Sequence, residues 1–238
     1  MDLFFIRHAQ SENNALWLKT GSSANRTSDP KLTELGHRQA EKLAEFLCSG
    51  EPIGGYPYEE KIKGSDLTHL YCSLMVRAVQ TGAKVSQALG LTLEAWPDIH
   101  EEGGIYLEDK ETGELIGLPG SDRAFFAQNF PELKLPDDLP EGGWYNRPFE
   151  PLEARVPRAR RFLEDLLKRH GGTNDRVAII SHGGFYNRLI DALLGLEKRD
   201  GIWFQLYNVG MTWIRFFDGG IDIAYMNRID YLPQDMIT

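Results

Sequence analysis

The chain has 238 residues, 42% hydrophobic and 26% charged, which suits one α/β domain with an ample core and is too apolar for a disordered chain. Its 26 Lys+Arg against 35 Asp+Glu give a net charge of -9; this argues against nucleic acid or an anionic membrane as partner, so any anionic substrate must be held by locally clustered cations. The two cysteines, Cys48 and Cys72, lack Cys-x-x-Cys spacing, which excludes a disulfide framework or a thiolate metal site and reads both as small buried hydrophobes.

Met1-Asp2 carries no basic segment, and the apolar run after it is too short for a signal peptide or a membrane span, so a cytoplasmic location is expected. That run, Leu3 to Ile6, predicts a strand buried on both faces that stops abruptly at Arg7-His8. Ser11 to Lys19 reads as helical and Thr20 to Asn25 as a loop. A helix capped by Thr33 follows, with Ala40, Leu43, Ala44 and Leu47 on one face and an end near Ser49-Gly50. The Gly and Pro content of Glu51 to Asp66 predicts a surface connection without regular structure.

Thr68 to Cys72 is the next predicted strand, followed by a helix capped by Ser73 and stopped by Gly90, and then a strand over Leu91 to Trp96. From about 97 to 151, prolines and glycines break any long element apart from a short helix over Ser121 to Asn129. The aromatics Phe125, Phe126, Phe130, Trp144, Tyr145 and Phe149 make this stretch an ordered cap inserted into the single domain 1–238, with an apolar interior of its own. Its cations Arg123 and Arg147 are the candidates for contacting substrate.

Leu152, Val156, Ala159, Leu163, Leu166 and Leu167 predict a helix facing the core, unbroken only after Pro157, with Arg158 pointing to water. A second buried strand, Arg176 to Ile180, runs into Ser181-His182-Gly183-Gly184 and a further helix. Strands are expected at Ile202 to Tyr207, Thr212 to Phe217 and Ile221 to Met226, the last two joined at Asp218-Gly219-Gly220. His37, His69 and His170 have no evident cluster around them and read as structural or surface residues.

Strands alternating with helices predict a three-layer α/β/α sandwich with a mostly parallel central sheet, in which segments just past the strand ends lie side by side. Here those segments are Arg7-His8, Ser73 to Arg77 and Ser181 to Gly184, so two arginines, two histidines and a helix start meet at one edge of an acidic protein. Such a site suits an oxyanion, above all phosphate.

These segments resemble the histidine phosphatase superfamily, in its phosphoglycerate mutase-like branch. Arg7-His8-Ala9-Gln10-Ser11-Glu12-Asn13-Asn14 matches that family's Arg-His-Gly-x-[Ser/Thr]-x-x-Asn, and Leu32 to Ala40 matches the Leu-Thr-x-x-Gly-x-x-Gln-Ala that follows. Ser73 to Thr81 fits Ser-x-x-x-Arg-Ala-x-Gln-Thr, and Ser181 to Gly184 fits the terminal Ser-His-Gly-Gly. The resemblance implies that His8 is a nucleophile forming a phosphohistidine. Arg7, Arg77 and His182 would hold the phosphoryl oxygens, and Asn14, Thr20, Gly21 and Gly183 would complete the substrate site. It also implies a general acid at Glu101, with the neighbouring Glu102 as the alternative.

Ala9 in place of glycine is tolerable if the backbone there is not left-handed. Glu102-Gly103-Gly104-Ile105-Tyr106 does not match the Arg-His-Tyr-Gly of true mutases, and the paired arginines that those mutases set against a substrate carboxylate have no counterpart. This favours hydrolysis of a small phosphomonoester over mutase-type phosphoryl transfer, without cofactor or metal. Two other classes compete: a metal site made of His8, His182 and Glu101, which Arg7 and Arg77 oppose, and a phospho-ligand binding module without activity. A homodimer is compatible with the sequence.

Overall fold

The computed structural model describes residues 1–55, 61–196 and 201–238. In chain order the elements are β1 (Asp2–Arg7), α1 (Glu12–Thr20), α2 (Glu34–Cys48), β2 (Pro52–Gly54), β3 (Ile62–Lys63), β4 (His69–Cys72), α3 (Val76–Leu89) and β5 (Leu93–Ala95). They continue with β6 (Tyr106–Glu108), β7 (Leu115–Gly117), α4 (Arg123–Asn129), β8 (Leu133–Lys134), α5 (Leu152–His170), β9 (Arg176–Ser181), α6 (Gly183–Leu193), β10 (Met211–Phe217) and β11 (Gly220–Arg228).

Seven strands form the central sheet in the order β11-β10-β1-β9-β4-β5-β8. All neighbours from β1 to β8 are parallel, while β10 and β11 add antiparallel at one side. Leu3 to Ile6 are wholly buried because alternate side chains serve opposite faces. Phe4 and Ile6 join the core under α2 and α3, and Leu3 and Phe5 join the one under α5 and α6. The result is the expected three-layer α/β/α sandwich.

The ladder continues past the strand ends, with His8 N donating to Ser181 O, Ser73 N to Ile180 O and Trp96 N to Cys72 O. Since β1, β9, β4 and β5 are consecutive and parallel, the segments leaving their C-terminal ends emerge together.

Several local expectations are corrected. Two short paired strands, β2 and β3, form in the Glu51 to Asp66 connection, of which residues 56–60 lie outside the described residues. Ser73 does not cap α3; Met75 holds the N-cap position and Ser73, two residues earlier, accepts from Met75 N at its Oγ. Within 97–151 the short helix is present as α4, capped by Asp122, but the segment also builds the β6-β7 hairpin and the edge strand β8 of the main sheet. Its Trp144, Tyr145 and Phe126 share the core under α2 and α3 instead of closing on a separate interior.

Helix α5 runs from Leu152 straight through Pro157, because the carbonyl deprived of a donor lies in the exposed first turns, where water can satisfy it. Its buried stripe is Val156, Ala159, Phe162 and Leu166, so Leu152 and Leu167 face solvent and Arg158, assigned to water from the sequence, is 1% exposed. No strand forms over Ile202 to Tyr207 because its backbone is used by side chains. Phe204 N donates to Asn187 Oδ1, Phe204 O accepts from Asn187 Nδ2, and Leu206 O accepts from Arg7 Nη1. The hairpin at Asp218-Gly219 forms as expected, with Gly219 at φ 89°. Cys72 is buried, but Cys48 is exposed, its thiol on Ala88 O.

His69 and His170 do form a cluster, with ring centroids 4.5 Å apart and Asp175 beside them. Both nitrogens of the His170 ring have protein partners, Nδ1 at 2.8 Å from Asp175 Oδ2 and Nε2 at 3.1 Å from Tyr71 Oη. This hydrogen-bonded chain ties the end of α5 to β4 at the sheet edge opposite the strand ends described above. Among the described residues no helix is long and apolar enough to cross a membrane.

Candidate active site

The loop after β1 sets the centre. His8 is 2% exposed, and its Nδ1 lies 2.7 Å from Ala9 O. A carbonyl only accepts, so Nδ1 carries the proton and the lone pair belongs to Nε2, onto which Arg77 Nε donates at 3.1 Å. Burial, and then the guanidinium groups of Arg77 and Arg7, hold the His8 pKa well below the ordinary imidazole value. The ring is therefore neutral and keeps its lone pair. Ala9 N donates to Thr81 Oγ1, and Ala9 is absent from the positive-φ residues, which is why alanine is accommodated here.

Three further groups surround this ring. The His182 ring is 5.0 Å from that of His8, centroid to centroid, and both of its nitrogens are buried without a partner among the described residues. Arg7 is anchored through Nη1 at 2.7 Å to Leu206 O while its Nε is buried without a partner among the described residues; burial lowers its pKa to about 10, still cationic at neutral pH. Arg77 also faces Asp29 Oδ1 at 3.8 Å, and burial raises the Asp29 pKa to about 6 against the opposing pull of Arg77. Buried donors without partners are costly unless a ligand engages them. The His8 ring thus has Arg77 in hydrogen-bond contact and the His182 ring against it.

Glu101 and Glu102 point to different surroundings. Glu101 lines a cavity of about 180 Å³ together with His8, Arg77, Ser11, Asn14 and Arg26. One oxygen, Oε1, accepts from the backbone N–H groups of Glu102 and of Phe185 in the first turn of α6, leaving Oε2 without a partner among the described residues. Glu102 instead is clamped by Arg188 Nε at 2.5 Å and Arg155 Nη1 at 2.8 Å. The two glycines opening α6 differ in the same way. A Cβ on Gly184 would lie 2.3 Å from Glu101 Oε1, whereas one on Gly183 would meet only Arg7 Nε at 3.7 Å. Gly184 therefore permits the carboxylate to reach the helix start.

The remaining residues expected in the site divide. Asn14 lines the cavity; its Oδ1 accepts from Ser11 N, Ser11 Oγ and Asn208 Nδ2, which leaves Nδ2 free to donate. Gly183 packs behind Arg7. Thr20 and Gly21 are not on the cavity wall. Gly21 is the left-handed C-cap of α1 (φ 65°) and Thr20 Oγ1 turns back to Leu16 O, so Ser22, Ser23 and Arg26 take that wall. Arg123 is spent on Pro136 O and Asp137 O, and Arg147 stacks on Tyr145 at 4.7 Å; neither reaches the cavity.

Arg26 was missed by the sequence reading because it falls in a polar loop without periodicity. Half-buried, it lies 4.2 Å over the Tyr106 ring of β6 and also lines a roomier outer groove with Ser23, Leu107, Lys110 and Leu115. Asn208 was missed too; its Nδ2 donates to His8 O at 2.9 Å.

The chain matches the sequence profile of the histidine phosphatase superfamily (branch 1) over residues 3–56 and 57–229. It is 22% identical over 216 residues to a probable phosphoglycerate mutase GpmB of Yersinia pestis (strain Pestoides F), covering 91% of this chain and 85% of that protein. Among solved structures it is similar to a phosphoserine phosphatase of Entamoeba histolytica in complex with 3-phosphoglyceric acid (TM-score 0.62, 21% identity, 98% and 99% of the two chains). It is also similar to the alpha-ribazole phosphatase of Shigella flexneri (TM-score 0.60, 19% identity, 96% of each chain). With the profile spanning nearly its whole length and the two histidines and two arginines gathered at one sheet edge, the chain belongs to the histidine phosphatase superfamily, a family of phosphatase and mutase enzymes.

Proposed function

We propose that the protein is a phosphatase that hydrolyses a small phosphomonoester through a phosphohistidine on His8. The observation that carries this reading is the unprotonated His8 Nε2, facing Arg77 Nε beside the unspent donors of Arg7 and His182. In the first step Nε2 attacks phosphorus, the bond to the leaving oxygen breaks, and Glu101 gives its proton to that oxygen. In the second, water attacks the phosphohistidine, Glu101 takes up a proton, and the P–N bond breaks to release phosphate. Arg7 and Arg77 neutralise charge on the equatorial oxygens in both steps, while His182 and Asn14 donate hydrogen bonds to them. A metal held by His8, His182 and Glu101 fits less well, because the Arg77 and Arg7 guanidinium groups beside the His8 ring would repel a cation.

Hydrolysis is favoured over mutase transfer by the turn after the proposed acid. Gly103 and Gly104 both have positive φ, and a Cβ on Gly104 would overlap Tyr145. That turn holds no cation where a mutase-like chain would place one. The segment 97–151 serves in this reading as a cap, its Tyr106 supporting Arg26 at the mouth.

Two expected results test the assignment. Glu101→Gln should slow hydrolysis of alkyl phosphates by roughly 10²–10⁴-fold and that of nitrophenyl phosphate, whose leaving group needs little protonation, far less. Glu102→Gln should not show that contrast, and a steady-state comparison in which it did would reassign the acid. Arg26 is the one cation shared by the cavity and the outer groove, so Arg26→Ala should raise KM for the best substrate about tenfold with kcat nearly unchanged. Arg123→Ala and Arg147→Ala should leave KM as it is.

A further inference from the structure

The loop carrying His8 is held from beneath by two buried amides. Asn208, 1% exposed, donates from Nδ2 to His8 O at 2.9 Å. Gln39, wholly buried, accepts from Gln10 N at its Oε1, at 2.7 Å. Each amide has two ends, and a flip would turn an acceptor toward His8 O, or a donor toward Gln10 N–H, and break the contact.

One hydroxyl bridges both amides. Thr238 Oγ1 accepts from Gln39 Nε2 at 2.9 Å and donates to Asn208 Oδ1 at 3.1 Å. The Thr238 backbone carbonyl accepts from Asn208 N at 2.8 Å, and Met236 O accepts a second bond from Gln39 Nε2 at 2.7 Å. Met236 itself is buried, so the segment is seated by packing as well as by hydrogen bonds. The backbone beside Asn208 also needs holding, since Val209 sits at φ 55°, which a β-branched residue rarely adopts. Val209 N donates to Arg7 O.

We propose that Thr238 is a positioning residue: its hydroxyl locks the Asn208 and Gln39 amides so that the backbone of His8 to Gln10 aims the His8 imidazole at the phosphoryl group. The inference rests on the reading of His8 as nucleophile. A hydroxyl can accept from one amide while donating to the other, which a methyl group cannot. Misplacing a nucleophile by about 1 Å costs on the order of 10²-fold in rate, so a small loosening of this loop is read in turnover before it is read in binding.

The test is a set of variants of the full chain. Thr238→Val keeps the shape and removes the hydroxyl; it should lower kcat roughly tenfold or more, with KM within about twofold of the parent and the loss seen in the rate of phosphoenzyme formation by rapid quench. Thr238→Ser should restore the rate. A valine variant with the parental kcat overturns the proposal even if its Tm falls, because the hydroxyl would then be structural only. Serine as slow as valine also overturns it, since the methyl packing would be what mattered. Thr238→Ala replaces valine if the latter does not fold. His8→Ala, measured alongside, separates the two claims: an inactive His8→Ala with an unimpaired Thr238→Val rejects the brace and keeps the nucleophile.

Discussion

Replacing His8 with alanine should abolish turnover and, with it, acid-labile labelling of the protein by substrate phosphate. The expected loss is roughly four orders of magnitude or more, the scale on which removal of a nucleophile is felt. His182 is held neutral by burial and then by Arg77, as His8 is, but its part in this reading is to donate to the phosphoryl oxygens, so it is not expected to take over the attack. Labelling that survives in His8→Ala would sink the assignment. The direction of the His8 shift adds a second readout. In the folded protein His8 gains its proton only well below 6.5, so in wild type the rate should not halve near 6.5 as it would for an exposed imidazole nucleophile. It should persist as the pH is lowered further, until other groups titrate.

The largest effect on stability is expected at Arg158. This side chain forms a two-point contact with Glu150, Nε to Oε1 at 2.5 Å and Nη2 to Oε2 at 2.8 Å, and its Nη1 donates to Asp98 O and His100 O. Both partners are nearly removed from water, at 1% and 8% exposure. Arg158→Met leaves the Glu150 carboxylate buried without its counter-charge and should cost about 3–5 kcal/mol, on the order of 10 °C in Tm for a chain of this size. A double variant, Arg158→Met with Glu150→Leu, should recover much of that loss, because a buried pair exchanged for apolar groups is often close to neutral. Denaturant titration of the single and double variants decides it. If the double variant is no better than the single, packing of the guanidinium, not the unpaired charge, dominates. Activity should fall along with stability, since the carbonyls of Asp98 and His100 lie in the short segment that leads into Glu101.

The parts legible in the sequence were those in which a local pattern coincides with a topological rule. Arg7-His8, Arg77 and Ser181-His182 each sit at or just beyond the C-terminal end of a parallel strand, and β1, β9 and β4 are adjacent, so their meeting follows from the alternation of strands and helices. Arg158 was misread for a physical reason. Counting Leu163 and Leu167 as inward rotates the α5 face away from Phe162, and a guanidinium was assigned to water without a partner in view. Its partner, Glu150, lies before the helix and shows no pattern of its own. The segment at Ile202 to Tyr207 has strand-like composition, but its backbone is claimed by Asn187 and Arg7, residues remote in sequence. Arg26, Asn208 and Thr238 share that difficulty, since each acts through a contact that only the folded chain creates.

The approach of Glu101 to the start of α6 bears on how the enzyme can be altered. Position 184 is closed to every side chain, because the smallest addition would displace the carboxylate proposed to protonate the leaving group. Ser22, Ser23, Arg26 and the β6-β7 hairpin carry no such restriction. Substrate range can therefore be redesigned from the mouth inward by exchanging loop residues, while the second glycine of the pair is a fixed point that any variant library should leave untouched.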